Sequence, residues 1–541
     1  MDGHRTDERS GDCQISAQND TMELEVSAAE VIQDSDEREH EHDHFNQKGK
    51  ETIVEESQET IHRDEFSFAQ EVPLLFQISL PTVAVQFCTF FIFPLTASAI
   101  GQNLKPQNLG AFTLATLTGN MTCVSIIIGT LTASETLQPR AFGLKQYREV
   151  GVLAVRGLIV CLIFLAIPVA CLSTLVEETL MYFGQQHIIS SLAAEWVHVF
   201  LWSLPSLLFF RLIQRFLACQ NEVTPCVFGA AIGVLLHPFL LKPFIEHFGF
   251  QGSALSIVVT QTVQTSLAVL YMVVIDGSYV KKTWPGLDWD FVKEAFNPSE
   301  LLKYFKLSIG GVVSLSEWWF WESICFIAGK FGLTSLCAHS IAYQILPLVF
   351  MIPLGISIGL SVRMGQLLPQ DVHKTKLLAF YTMLFTCAIS ILVSAIMYRY
   401  QSWIFAFFTR DADVLDECRK IWGSLCIYVP FLYIFCINSG IMRGLGLQWR
   451  MAAAIVAVLW CIFLPLIIFY SVIKGGGLEL MWNMMPWVYV VLDVVMICCF
   501  TFEDWDKIGY EIRVSLIDAK VKDTFDHVDT EDTFLLGETV P

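Results

Sequence analysis

Between residues 72 and 502 the chain runs through one stretch after another of about twenty apolar residues, and this recurrence limits its fold more than any other feature. About twenty consecutive apolar residues in a helix match the ~30 Å hydrocarbon layer of a bilayer. Such windows lie near 72–97, 108–134, 149–175, 190–213, 223–245 and 252–275, and again near 303–329, 335–362, 376–398, 417–441, 450–473 and 480–502. The polar stretch DGSYVKKTWPGLDWDFVKEAFNPSE divides them six and six. The expected fold is an all-α polytopic membrane protein with twelve transmembrane helices in two pseudo-symmetric six-helix lobes. An N-terminal lobe (72–275) and a C-terminal lobe (303–502) are joined by a linker (276–302) and flanked by acidic tails, 1–71 and 503–541. Charged residues make up 16% of the 541, against about a quarter in soluble chains.

The formal charge of −19 describes the tails, not the membrane part. Residues 1–65 carry a net −14 and residues 503–541 a net −7, which leaves about +2 for the rest. Acidic and poor in apolar residues, the tails are expected to be disordered, and no signal peptide is expected before the first span. In the first tail His40, His42 and His44 alternate with acids in REHEHDHF. They could chelate a soft metal such as zinc, but a solvated charged segment is the expectation. The 16 cysteines are scattered through apolar runs without paired spacing and are expected to pack rather than bridge. An even number of spans puts both tails on one side. The even-numbered connections and their span ends, among them Arg140, Arg211, Arg215, Arg363 and Arg443, hold fifteen lysines and arginines against eight on the other side. By the positive-inside rule both termini are cytoplasmic, in a plasma or a vacuolar or other endomembrane.

The seventh span contains EWWFWE, residues 317–322. A carboxylate at the bilayer centre costs roughly 2.5–3.5 kcal/mol on insertion scales, so intramembrane acids point to function. A desolvated carboxylate takes up a proton more readily than one in water. Once ionised, it pairs with a cation. One such group can therefore hold a proton or a cationic substrate but not both, which is the minimum chemistry of exchange. Glu317 ranks first for this role and Glu322 second. Five residues apart, they stand about 140° apart around a regular helix, and a bend at Gly310-Gly311 is expected to bring them toward one cavity. Trp321, one turn from Glu317, and Trp318 suit a flat cation, an attraction of roughly 0.5–2 kcal/mol when desolvated. Other polar residues within spans, Gln86, Tyr343, Gln344 and Asn438, are candidates for the cavity wall. Glu195 lies near a span end and Asp493 in the last span. Glu135, Arg140 and Arg443 are expected to anchor loops rather than meet substrate. Lysine and arginine are nearly absent from the middles of the spans, which makes a cavity for anions the weaker expectation. Pro81, Pro205, Pro347, Pro353 and Pro430 are positioned to bend helices.

Six motifs in chain order resemble one family. SETLQPRAFGLKQY (134–147) is similar to ETLCGQAFGA, and RFLACQNEVTP (215–225) and FGFQGSALS (248–256) follow. YFKLSIGGVVSLSEWWFWE (304–322), AHSIAYQILPLVFMIPLGISIGLSVRMGQLL (338–368) and SGIMRGLGLQ (439–448), close to sGvlRGxGxQ, complete the set. Together they resemble the multidrug and toxin extrusion (MATE) family of the eukaryotic kind, over about residues 72–502. The resemblance implies lobes related by an axis along the membrane normal with a substrate site between them. It also implies a functional pair of glutamates at the spacing of Glu317 and Glu322. Two positions depart from the pattern. Gln138, Pro139 and Arg140 replace Cys-Gly-Gln. In the tenth span Leu432 stands where many relatives carry an acid, and 421–442 holds no other. That counts against the cation site of sodium-coupled relatives, so the proton is the expected coupling ion.

The expected function is thus a monomeric secondary antiporter, with no cofactor, that exports organic cations or xenobiotics in exchange for protons by alternating access. Export of organic anions (citrate-like or phenolic conjugates) and lipid or metabolite flipping by a related architecture are the alternatives. A receptor does not fit twelve spans in two halves, and no filter-like loop suggests a channel. Catalysis is not expected, since HExxH and GxSxG are absent and the nearest histidines, His237 and His339, are isolated in sequence.

Overall fold

The computed structural model describes residues 68–514 apart from 184, 276, 285, 287, 288, 409 and 410. Among the described residues, ten helices are long and apolar enough to cross a membrane. Two backbone irregularities account for the difference from twelve. The 47-residue helix Thr224–Leu270 is two helices joined at Gly249, whose φ of 61° and ψ of −137° lie outside the helical region and suit glycine alone. Its arms run antiparallel, because His237 Nδ1 meets Thr260 Oγ1 at 2.8 Å and Gln264 Nε2 donates to the Ala230 carbonyl. The seventh span, conversely, is broken at Leu315 into Pro298–Ser314 and Ser316–Ala328, each too short to cross alone.

The spans are therefore α1 (Phe68–Asn103), α2 (Pro106–Gly119, then Ser125–Gly143 after a π turn), α3 (Tyr147–Thr174) and α4 (His187–Phe200, then Leu204–Ala218). The arms 224–248 and 250–275 are α5 and α6. The broken pair is α7, followed by α8 (Leu333–Leu367), α9 (Val372–Arg399), α10 (Ala412–Leu445), α11 (Gln448–Ile455, continuing to Ile473) and α12 (Gly477–Thr501).

Across the interface between lobes α1 lies against α8 and α2 against α7. Exchanging each helix of the first lobe for its counterpart six places on turns one pair into the other, as a two-fold relation requires. Small residues bring these helices together. A Cβ on Gly355 would lie 2.8 Å from the Val83 backbone, and one on Gly129 would meet the Val312 backbone. Gly310 and Gly311 serve the same purpose. A side chain on Gly311 would strike Thr132 and the Gly129 carbonyl, and one on Gly310 would approach Gln448 and Trp449. The bend expected at this pair instead falls at Leu315 (φ −78°, ψ 1°), since the glycines are held straight by the close crossing. With lipid tails as apolar as the side chains, packing of this kind is what holds spanning helices together. Large apolar residues face outward accordingly, Ile167 and Phe239 being 74% and 77% exposed.

Each lobe has its own core, built on Phe112, Trp196 and Phe200 in the first and on Trp422, Tyr428, Trp482 and Tyr489 in the second. The linker is not a free strand. Phe291 is buried beside Val152 of α3, and Glu294 pairs with Arg148 at 3.0 Å. The residues after α12 also differ from the expected disordered tail over their described part. A helix follows Asp504, with Trp505, Ile508 and Ile512 at helical spacing packed on the second lobe, and Arg450 pairs with Glu503. The first spanning helix includes Phe68, four residues before the expected start, and Glu71 is already paired with Arg363 at 2.8 Å. Residues 1–67 and 515–541, with His40, His42 and His44, lie outside the described residues. Among the described residues the cysteines are free.

Candidate functional site: the cavity between the lobes

The break in α7 builds the site. Interrupting the helix at Leu315 puts Glu317 in the first turn of the segment Ser316–Ala328, where the helix dipole is worth roughly 0.3–1 kcal/mol to a negative group. Glu317 is 4% exposed. Its Oε1 accepts hydrogen bonds from the Tyr489 hydroxyl and, at 3.1 Å, from Trp321 Nε1, which also donates to the Tyr489 oxygen at 2.8 Å. No protein group donates to its Oε2 among the described residues. Glu322 accepts from the Tyr343 hydroxyl of α8 at 2.9 Å. Both carboxylates line one cavity of about 310 Å³, within the size range of small-molecule sites. The 140° between them persists, because the helix is regular beyond its break. The cavity wall takes residues from both faces of this segment of α7.

Among the described residues neither glutamate forms an ion pair with lysine, arginine or histidine. Their partners are aromatic. Tyr428 stands edge-on to Tyr489 at 4.8 Å between centroids, and Trp482 lies 6.0 Å from Trp321. Trp318, Trp319 and Trp321 all line the cavity, as do Gln86 of α1 and Tyr343 of α8. Gln344 does not. One position on from Tyr343, it is exposed on the outer face of α8, as the 100° turn per residue dictates. Asn438 is also away from the cavity, fully buried between α10 and α12 with its Nδ2 donating to Asp493 Oδ1 at 2.9 Å. Intramembrane amides often link helices in this way. Leu432 is at the cavity wall and gives it an apolar surface there. Glu195 accepts from Gln251 on the outside of the first lobe.

Below the glutamates, toward the side bearing the linker, a smaller chamber of about 70 Å³ ends in charged groups. Glu135 of α2 pairs through one oxygen with Arg215 of α4 at 2.6 Å and through the other with Arg443 of α10 at 2.9 Å. Arg443 also donates to Ser357, Thr136 to the Arg443 carbonyl and Arg140 to the Gly444 carbonyl. Gln366 reaches Cys219 and Asn221, and Gln370 the Gly143 carbonyl. Apart from Glu135–Arg215 within the first lobe and Arg443–Ser357 within the second, these contacts cross between lobes, so the motif residues expected to anchor loops instead fasten one lobe to the other. Arg211, counted in the sequence with the loop ends, lies seven residues inside the end of α4 and lines both chambers. Its Nη1 donates to Gln86 at 2.7 Å and Gln214 at 3.0 Å. Arg211 was expected at a span end and lies at the cavity instead, because α4 continues past the apolar window that suggested its end.

Sequence reasoning missed Arg211, Tyr428 and Tyr489. Phenol hydroxyls inside apolar runs were a usable signal for the two tyrosines. Helical phase relative to Arg215 was a signal for Arg211. His237, isolated in sequence, is not isolated in space, since its ring bridges the Thr96 and Thr260 hydroxyls at 2.8 Å each.

Two lobes of six spanning helices around a cavity with buried carboxylates, closed at one end by contacts between lobes, define a membrane transporter. The MatE family profile matches residues 81–241 and 311–469, one stretch in each lobe. The chain belongs to the MatE family, the multidrug and toxin extrusion transporters. It is 27% identical to multidrug and toxin extrusion protein 2 of Pongo abelii and 26% identical to multidrug and toxin extrusion protein 1 of Homo sapiens. These alignments cover 74% and 71% of this chain and 70% and 66% of the relatives. An uncharacterized transporter of Schizosaccharomyces pombe is 26% identical over 82% of both chains. The fold is that of the eukaryotic MATE transporter AtDTX14, with a TM-score of 0.76 and 21% identity over 83% of this chain and 99% of that one. The protein is an integral, multi-pass membrane protein.

Proposed function

We propose that the protein exchanges protons for organic cations by alternating access, with Glu317 as the group for which proton and substrate compete. The observation that carries this reading is the state of Glu317. It is a buried carboxylate on the cavity wall, held by two neutral donors and by no cationic side chain among the described residues. A charge left without a protein counter-ion is available to a proton or to a cation from solution. Glu322, flanked by the same tryptophans, is the second site, and the indole faces complement a flat cation. The contacts around Glu135 close the linker side, and the bias of lysine and arginine assigns that side to the cytoplasm. In this reading the closed end is the cytoplasmic one. A substrate or a proton shifts the balance between states only by binding one better than the other.

The test is uptake of a fluorescent organic cation into proteoliposomes under an imposed pH gradient, with wild type beside Glu317→Gln. Gradient-driven uptake that the variant abolishes is the expected result. Uptake in wild type that ignores the gradient refutes proton coupling, and uptake that survives in the variant moves the exchange site to Glu322.

A further inference from the structure

At the cavity floor three guanidiniums meet one carboxylate. Glu135 is ion-paired with Arg215 through one oxygen and with Arg443 through the other, which makes no hydrogen bond, and Arg211 forms no ion pair among the described residues. It is 7% exposed and lines both chambers, and only the neutral amides of Gln86 and Gln214 accept from it. Several buried donors around it are unused. Arg211 Nε, Arg215 Nε and Nη1, and Gln214 Nε2 have no hydrogen-bond partner. A buried guanidinium without a counter-ion is costly, and the two amides orient it without neutralising it. Its planar fork of donors matches a carboxylate in two parallel hydrogen bonds, as an ammonium would not. Even with Glu317 counted at the upper wall of the small chamber, positive groups outnumber negative ones there.

We infer that Arg211 forms an anion subsite for a carboxylate borne by the substrate. The preferred substrates are then amphoteric: an aromatic body with a cationic group toward Glu317 and Glu322, and a carboxylate toward the floor. The inference deepens the reading of Glu317 as a cation site and rests on it. A simple cation fills only the upper part of the cavity and is repelled by Arg211. An amphoteric molecule satisfies both ends.

The test uses two molecules that differ by one carboxylate, phenethyltrimethylammonium and N,N,N-trimethylphenylalanine. Each is titrated by calorimetry against the full chain in lipid nanodiscs. Wild type is expected to bind the amphoteric ligand roughly tenfold more tightly, near the low end of what a hydrogen bond to a charged group contributes. Arg211→Gln erases the preference and binds the simple cation several-fold more tightly, which also shows that the variant is folded. Arg211→Lys keeps part of the preference. Equal binding of the two ligands by wild type, or a preference that survives Arg211→Gln, overturns the inference. So does an Arg211-dependent gain in affinity for the simple cation on adding chloride with no preference for the amphoteric ligand, because the subsite then takes a free anion. Amphoteric binding that needs Arg211, with no binding of the simple cation, supports the subsite while refuting the simple-cation reading. Cation binding without the preference does the reverse.

Discussion

Glu135→Gln removes the acid that pairs with Arg215 of its own lobe and with Arg443 across the lobe interface, and its effect can be estimated. Removing one partner of a buried ion pair costs about 3–5 kcal/mol, because the other charge stays buried. A glutamine oxygen can still accept from Arg215 or Arg443, which favours the lower end, near 3 kcal/mol. At about 1.4 kcal/mol per factor of ten, that is about a hundredfold shift away from the state in which the linker side is closed. Minor states of such equilibria commonly hold about 0.1–10% of molecules. A linker-side-open state at about 1% in wild type would rise to roughly half the population. Spin labels at Lys145 and His373, exposed near the linker-side ends of α2 and α9, report the distance between lobes. Wild type gives one dominant distance, and Glu135→Gln adds a longer component of comparable weight. Arg443→Gln removes the same pair between lobes while leaving the Glu135–Arg215 pair within the first lobe, and shifts the distribution in the same direction. A distance distribution unchanged in a monodisperse Glu135→Gln sample would refute the assignment of these contacts as the closure.

The contrast between Asn438 and Gln344 separates structure from site. Asn438→Ala leaves Asp493 without its donor and should cost about 1–3 kcal/mol of stability, read as a lower melting temperature with substrate affinity unchanged, whereas Gln344→Ala should stay within about 0.5 kcal/mol of wild type in stability, with unaltered transport. Gly311→Val puts a branched side chain against Thr132 and the Gly129 carbonyl. It should force α2 and α7 apart and lower the yield of folded protein on size exclusion, since overpacking typically costs about 1–3 kcal/mol and a backbone contact cannot yield as a side chain does.

Much of this architecture was legible in the sequence because each part had a local cause. Apolar length marked the spans, including α5 and α6, where hydropathy dipped around Gly249, the residue at which the two antiparallel helices meet. It also marked α7, whose two halves are too short to qualify singly. Glu317 and Glu322 stood out because an acid in an apolar run is costly wherever it finally points. Direction was harder to read. Tyr343 and Gln344 are neighbours of similar polarity, and only the phase of α8 against the other lobe decides which one meets the cavity. Asn438 looked like a wall residue because its partner, Asp493, is 55 residues away on another helix. Arg211 was hidden by the convention that a base near a span end belongs to the loop. Close approach of Gly310 and Gly311 to another helix and flexibility at that pair have the same sequence signature, and only the neighbouring helix tells them apart.

The docking of the linker on α3 has a mechanical consequence. Ala295 is buried against the first lobe, and Pro298 already begins α7. Three peptide links separate them, which reach about 11 Å at full extension. Tyr304 and Ser308, farther along the same segment, are bonded to Ser134 and Thr130 of α2. The start of α7 is thus tethered to the first lobe at successive levels, and the chain resumes a free direction only past Leu315. Separation at this corner has a hard stop set by chain length, so the linker side can open only by rotation about an axis near the α3–α7 corner. The largest displacements then fall on the opposite edge, where α1 meets α8 and Glu71 holds Arg363.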